Sequence, residues 1–340
     1  MHHKAKSWFF IISGLAVLAA ASGVLALCTG SAGIPVEKIP GILTRGPGSS
    51  EYSILMQIRL PRILLGMAVG GALSLAGTLL QGMFRNPLVE PYTLGISGGA
   101  SLGVCINILF KFHAVLGIIS YPLFGFAGAS LVIFLVYSLN RNSRHVRSNR
   151  MLLTGVMISY VASSLVMLLM ALAHSDDLQN IVLWIMGSLD ETNTALIRTA
   201  CTGSLAGLVI AYLFCTDLNA LALGDEEAAT LGINTARSKK VLFITASFLT
   251  GLSVSVAGVI MFVGLIVPHF VRMVTGPDHR ILLAASFLAG AAFLTLSDVI
   301  ARTVIAPLEL PVGVITGIIG GVLFIWALAR NGRSGGEVVL

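Results

Sequence analysis

The stretch ILLGMAVGGALSLAGTLLQGM, residues 63–83, contains no charged side chain and is long enough to cross a lipid bilayer as one helix. Similar apolar windows recur along the whole chain, with short polar breaks between them. They lie near residues 8–28, 94–110, 116–139, 151–173, 194–214, 241–256, 258–274, 281–300 and 311–329. The pattern predicts an all-α membrane protein with about ten transmembrane helices.

The overall composition agrees with this prediction. The chain has 340 residues, of which 56% are hydrophobic and 11% charged, and its mean hydropathy is +0.93. A soluble domain carries about 25% charged residues, so a water-soluble surface is excluded. We expect one membrane domain over residues 1–340. The first window follows a basic leader like that of a signal peptide, but its length favours a retained helix.

The basic residues predict the orientation of the chain. With ten spans, the loops on the amino-terminal side hold 14 Lys and Arg, whereas the loops on the other side hold 7. The side with more positive charge is the cytoplasmic one, so both termini are predicted to be cytoplasmic. The net charge of +6 is scattered over short loops, which argues against a nucleic-acid surface.

Two segments resemble each other and suggest an internal repeat. Residues 73–87 read LSLAGTLLQGMFRNP and residues 254–268 read VSVAGVIMFVGLIVP. The two copies begin in spans two and seven, which would run in opposite directions, as in the inverted repeats of transporters. Tight helix packing through glycine is the alternative explanation. Gly258 and Pro268 also predict a break between the spans near Ala257.

The chain shows no energy source of its own. Asp298 and Arg302 lie four residues apart near the end of span nine, where they can pair with each other, and no second acid suggests an ion relay. None of the six lysines follows a glycine, which excludes a phosphate-binding loop. No metal-ligand or nucleophile spacing indicates an enzyme. A secondary transporter and a membrane receptor or scaffold stay open as alternatives to a subunit driven by a separate ATPase.

The loop at residues 216–240 is the candidate contact for such an ATPase. It contains LGDEEAATLGIN, residues 223–234. Asp225 is the predicted N-cap of a short surface helix, Glu226 and Glu227 lie in its first turn, and Gly232 is its predicted C-cap. A solvated loop helix without a partner is the alternative.

Several longer motifs together resemble the FecCD/BtuC-like permease family of ABC importers, which takes up iron siderophores, haem and vitamin B12. They are RLPR at 59–62, RNPLVEPYTLGISGGASLG at 85–103, the LGDEEAATLGIN loop, FVGLIVPHFVR at 262–272, DHR at 278–280 and ELPVGVITGIIGG at 309–321. The resemblance covers residues 59–330. It implies a type II ABC importer permease with ten helices and an inverted repeat, in a bacterial or archaeal cytoplasmic (inner) membrane.

The resemblance also implies partners and site residues. A homodimer or a pair of close paralogues would work with two ABC ATPase subunits, which bind ATP and Mg, and with an external substrate-binding protein; this chain would hold no cofactor or metal. Arg59, Arg62 and Arg302 match arginines that receive acidic side chains of the binding protein. Five residues match the cytoplasmic gate: Asn86, Pro87, Leu88, Ser148 and Asn149. Six match the ATPase-coupling helix: Gly224, Asp225, Glu226, Glu227, Ala228 and Gly232.

The expected function is import of a metal chelate through this permease. A ferric siderophore is the favoured cargo, whereas haem, cobalamin and an oxyanion are alternatives that the same architecture would serve. His113, His174 and the methionines have no spacing that selects among these cargoes.

Overall fold

The computed structural model describes residues 2–30, 33–140 and 148–331, and in these ranges the chain is almost entirely helical. The α-helices are α1 His2–Cys28, α2 Ile39–Arg45, α3 Ser50–Ser53, α4 Leu60–Phe84, α5 Ile96–Leu109, α6 Phe112–Leu116, α7 Ser120–Asn140, α8 Ser148–Leu172, α9 Ser175–Ile185, α10 Thr194–Leu213, α11 Cys215–Leu223, α12 Asp225–Thr230, α13 Thr235–Ala257, α14 Val263–Thr275, α15 His279–Thr303 and α16 Val312–Asn331. A π-helical turn, Ile54–Arg59, leads into α4, and a 3-10 turn, Pro91–Leu94, precedes α5.

The helices reproduce the predicted membrane spans. Within the described residues, seven helical segments are long and apolar enough to cross a membrane, and α5, α14 and α16 are shorter apolar helices. Each of the ten predicted windows overlaps one of these helices. Large apolar side chains such as Phe9, Phe10 and Phe134 are exposed on the outside of the bundle, as expected for a surface that faces lipid.

Helix α4 lies at the centre of the bundle. In the segment Ser50–Phe84, 89% of the membrane-length window is buried, compared with 17% for Arg150–Leu172 in α8. Helix α4 packs against α10, α13, α14 and α15, whereas α8 packs mainly against α5 and α7. Most of α8 is therefore left for lipid or for another subunit.

Glycines allow the central helices to approach closely. The Cβ that Gly77 lacks would overlap the carbonyl oxygen of Gly264 on α14. Where α4 crosses α15, a Cβ on Gly70 would likewise overlap the carbonyl oxygen of Gly290. Such contacts between backbones are typical of membrane bundles, in which association depends on close packing.

The predicted break near Ala257 is confirmed. Helix α13 ends at Ala257, Gly258 has φ +67°, and α14 begins only at Val263. A left-handed φ is accessible to glycine at little cost, which explains why the helix ends there. Pro268 lies inside α14 rather than at the break.

The two echo segments do not adopt the same conformation, so the alignment of residues 73–87 with residues 254–268 is wrong as a structural repeat. The first segment is mostly the second half of α4. The second contains the last turn of α13, the break and the first half of α14. Gly77 lies inside a helix, whereas the aligned Gly258 ends one, so the shared letters reflect two different uses of small residues.

Candidate functional site

An ion-pair network occupies one end of the bundle, where α4 begins and α15 ends. Arg62, in the first turn of α4, directs Nε and Nη2 toward the carboxylate of Asp298, at 2.9 Å from Oδ1 in both cases. Its Nη1 lies 2.6 Å from Oδ1 of Asp190 and 2.7 Å from Oε2 of Glu309. On the other side of the same acid, Nε of Arg302 lies 2.9 Å from Oδ2 of Asp298.

The other two arginines of this end contact the last turn of α1. Nη1 of Arg59 donates to the carbonyl oxygen of Leu27 at 2.7 Å, and Nη1 of Arg302 donates to that of Thr29 at 3.3 Å. These carbonyls lack helical partners because they end α1, so arginine donors satisfy them well. Both arginine residues are only 3% exposed.

The structure thus brings the three predicted docking arginines together at one end of the bundle. It also adds residues that the sequence did not single out. Asp190 lies in the connection between α9 and α10, and Glu309 lies in the connection between α15 and α16. The pairing of Arg302 with Asp298, foreseen from their spacing, is observed, and the docking role of the arginines stays a prediction.

The predicted gate residues follow the opposite end of α4. Arg85 ends the helix with φ +51°, and Oδ1 of Asn86 accepts a hydrogen bond from the backbone N–H of Leu88 at 2.9 Å. Pro87 is buried, while Leu88 is 50% exposed. The side chains of the other two predicted gate residues, Ser148 and Asn149 at the start of α8, lie outside the described residues.

The segment after the gate holds the break between α13 and α14. Oε1 of Glu90 accepts a hydrogen bond from the backbone N–H of Phe262 at 2.6 Å, and the hydroxyl of Tyr92 accepts one from that of Ile260 at 3.1 Å. Phe262 has φ +69°, which is unfavourable for a side chain of this size and requires support from its surroundings. Glu90 and Tyr92 therefore determine the shape of this break.

A second contact ties the same end of α4 to α14. Nε2 of Gln81 donates to the carbonyl oxygens of Gly264 and Leu265, at 3.2 Å in each case. Oε1 of Gln81 accepts from Nη2 of Arg272 at 3.1 Å. The amide is almost fully buried, and it binds the carbonyl oxygen of Gly264, which lacks its usual helical donor because Pro268, four residues on, has no N–H.

The predicted surface helix is present as α12, but its N-cap was assigned wrongly. The capping position is Gly224, with φ +146° and no side-chain cap, and Asp225 is the first helical residue. The carboxylate of Asp225 instead lies 2.5 Å from Nζ of Lys239, at the start of α13. This ion pair draws the carboxylate away from the backbone N–H groups that an N-cap would bind.

Gly232 closes α12, as predicted. It has φ +85° and its backbone N–H donates to the carbonyl oxygen of Ala229, while that of Ile233 donates to Ala228. These are the two bonds of a Schellman motif, which needs a left-handed residue at this position. Ala228 is buried, and the side chains of Glu226, Glu227 and Leu231 are exposed, so α12 presents an acidic and partly apolar face.

Helix α11 connects α12 to the core of the bundle. Nδ2 of Asn219 donates to Oδ1 of Asp278 at 2.8 Å, and Oδ1 of Asn219 accepts from the backbone N–H of His279 at 2.9 Å. Asp217 accepts a short hydrogen bond from the hydroxyl of Ser238. Helix α11, which leads into α12, is thus bonded to the starts of α13 and α15. Asp278 and His279 belong to the DHR motif, but the motif did not indicate that Asn219 is their partner.

A cavity of about 450 Å³ lies between α5, α8 and α9. Its lining includes the hydroxyl groups of Ser97, Ser101 and Ser163 and the side chains of Met167 and Met170, and no charged residue contributes to it. Such a wall offers hydroxyl groups for weak polar contacts and thioethers for adaptable apolar ones.

Comparisons with known proteins show what the chain is similar to. The sequence model described as the FecCD transport family matches residues 17–330. The haemin transport system permease protein HmuU of Yersinia pestis is 37% identical over 310 residues, covering 91% of this chain and 92% of that protein. The Fe(3+) dicitrate transport system permease protein FecD of Escherichia coli is 40% identical over 283 residues, covering 83% and 87%.

A solved structure agrees with the fold. An inward-facing conformation of an ABC transporter assigned to the metal-chelate type superposes with a TM-score of 0.83 at 32% identity. The match covers 94% of this chain and 99% of that one.

Proposed function

Because the chain belongs to the FecCD transport family, as a multi-pass permease subunit of a metal-chelate type ABC importer, we propose that it passes a ferric siderophore into the cytoplasm. The relatives support a metal chelate as the cargo but do not identify which chelate it is, since haemin and Fe(3+) dicitrate permeases match at 37% and 40% identity. Haem, cobalamin and an oxyanion are the alternative cargoes.

The observation that carries this proposal is the separation of two polar sites at opposite ends of α4. The arginine network lies where α4 begins, and the gate residues and α12 lie beyond its end. The excess of Lys and Arg in the loops on the side of the second site supports a cytoplasmic position for it. We assign the protein to a bacterial or archaeal cytoplasmic membrane with both termini inside.

Each site has a proposed partner. Arg59, Arg62 and Arg302 receive acidic side chains of a substrate-binding protein, because guanidinium groups bind carboxylates through two parallel hydrogen bonds. Helix α12, with Gly224, Glu227 and Gly232, contacts an ABC ATPase subunit. A second permease copy, either identical or a close paralogue, completes the path. The chain itself holds no cofactor, and ATP and Mg are bound by the ATPase.

The contacts suggest how ATP hydrolysis moves the gate. Movement of α12 reaches α15 through the hydrogen bonds of Asn219 with Asp278 and His279. Helix α14 packs against α15. Gln81 and Glu90 in turn connect α14, and the break before it, to the end of α4. The gate residues Asn86 to Leu88 directly follow α4, so α12 and the gate residues belong to one connected set of elements.

A change at the end of α12 tests this coupling. We expect the Gly232→Val variant to lose ~10-fold in binding-protein-stimulated ATP hydrolysis and in ATP-driven uptake. Valine at φ +85° is strained, so the Schellman motif opens and α12 no longer holds its position. Both rates are measured on the permease–ATPase complex in proteoliposomes.

Gly117→Val is the matched control. Gly117 also ends a short helix with φ +71° and has open space around the missing Cβ, but it lies at the other end of the bundle. Both variants therefore place a β-branched side chain at a positive φ. Equal loss of coupling in the two variants, or full coupling in Gly232→Val, would contradict the proposed role of α12.

A further inference from the structure

The guanidinium group of Arg62 is divided between an inner and an outer set of carboxylates. The inner edge, Nε and Nη2, is bound by Asp298, whose side chain is 3% exposed. The outer nitrogen, Nη1, faces Asp190 and Glu309, whose side chains are 61% and 34% exposed. Arg62 thus has one buried counter-ion and two that are accessible from outside the bundle.

The two outer carboxylates crowd a single nitrogen. Their oxygens lie 2.6 Å and 2.7 Å from the same Nη1, so they are necessarily close to each other and repel. The network contains three carboxylates around Arg62 and Arg302, and Asp298 already contacts both. Nη1 carries two N–H hydrogens, so each outer carboxylate can bind one of them, although the two carboxylates repel each other.

The inner and outer contacts differ in what it costs to break them. Separating Asp298 from Arg62 would take from the buried guanidinium group its buried counter-ion, which is strongly unfavourable. Separating Asp190 or Glu309 exposes a carboxylate to water, where an ion pair contributes little. Both outer acids lie in connections between helices rather than on the helices themselves, so a change in their contacts does not require a span to move.

Hydrogen bonds within its own loop also orient the carboxylate of Asp190. The hydroxyl of Ser188 donates to Oδ2 of Asp190 at 2.6 Å and accepts from the backbone N–H of Asp190 at 3.0 Å. These two bonds use Oδ2 and leave Oδ1 available for its contact with Arg62. The contact is therefore a built feature of the loop rather than a chance approach of a mobile side chain.

We propose that Asp190 and Glu309 are internal competitors for the docking site, occupying Nη1 of Arg62 until carboxylates of the binding protein displace them, while Asp298 keeps Arg62 and Arg302 in place. This inference rests on the proposed docking of a binding protein at these arginines.

The test measures how tightly the binding protein docks. The permease–ATPase complex is placed in lipid nanodiscs, and the probe is the binding protein that stimulates its ATP hydrolysis. We expect Asp190→Asn and Glu309→Gln each to tighten the dissociation constant ~5-fold, because the competing carboxylate is removed. Asparagine keeps the acceptor for the hydroxyl of Ser188, so the loop should stay folded.

Glu191→Gln is the matched control. It removes one negative charge from the same loop, but its Oε1 accepts from the backbone N–H of Asn193. General electrostatics predicts less than a ~2-fold change for this variant. In an Arg62→Gln background, where Asp298 keeps Arg302 as its counter-ion, the tightening by Asp190→Asn should disappear.

The outcomes separate the inference from the proposed function. If Arg62→Gln weakens docking but Asp190→Asn and Glu309→Gln behave like Glu191→Gln, the displacement model is wrong and the docking site stands. Tightening that persists in the Arg62→Gln background also overturns the displacement model. If Arg62→Gln docks as tightly as the parent, the docking site and the displacement model both fall.

Discussion

The Gly77→Ala variant should lose about 3 kcal/mol or more of unfolding free energy, although it adds a single methyl group. The new Cβ would overlap the carbonyl oxygen of Gly264, and both backbones belong to buried helices that cannot move apart without opening the core. We expect a large fall in the yield of monodisperse protein. Its thermal midpoint in detergent, followed by size-exclusion chromatography, should fall with it.

Gly14→Ala is the control for this prediction. Gly14 lies inside α1, and no atom lies within 4 Å of the Cβ that it lacks. The same chemical change should therefore leave yield and thermal midpoint near the parental values. A Gly77→Ala protein as stable as Gly14→Ala would show that α4 and α14 do not cross as closely as described.

The second large effect is expected at Asp298. Asp298→Asn removes the buried counter-ion that Arg62 and Arg302 share. We expect this to lower the free energy of unfolding by about 3–5 kcal/mol. Asparagine has nearly the same volume, so the loss reflects charge rather than packing. The measurement is the thermal midpoint of the purified permease.

A neutral substitution at an exposed acid provides the comparison. Asp176 lies in the first turn of α9 and is exposed. The Asp176→Asn variant should change the midpoint little, because an exposed carboxylate contributes at most a few tenths of a kcal/mol to a helix end. Similar midpoints for the two variants would mean that the network at Asp298 does not hold α4 against α15.

Much of the fold follows from the distribution of apolar residues. Length and hydropathy determine where a helix can cross a bilayer, so all ten windows correspond to helices. The break after Ala257 was also predictable, because Gly258 can adopt a left-handed φ that ends a helix. The closing of α12 at Gly232 has the same cause.

Other features depend on contacts between distant residues. The letters shared by residues 73–87 and 254–268 could not reveal that Gly77 packs inside a helix and Gly258 ends one. Asp225 fits the pattern of an N-cap, but its pairing with Lys239 is a tertiary contact that overrides the local preference.

The ion-pair network around Arg62 also depends on contacts between residues that are far apart in the sequence. Arg62 and Asp298 are 236 residues apart in the sequence, and Asp190 reaches them from a third segment. The predicted spans put the start of span two and the end of span nine on the same side of the membrane, but no local pattern relates an acid in one loop to an arginine at the start of a helix. Only the packing of α4 against α15 makes them neighbours.

The central claim is that this chain moves a metal chelate only when a separate ATPase drives it. The most direct measurement is uptake of an iron-labelled hydroxamate siderophore, and of haemin in parallel, into proteoliposomes. The permease is tested alone under an imposed proton or sodium gradient, and together with the ATPase subunit, the binding protein and ATP. We predict uptake only in the complete system with ATP. Gradient-driven uptake by the permease alone, or no movement of either chelate in the complete system, would contradict it.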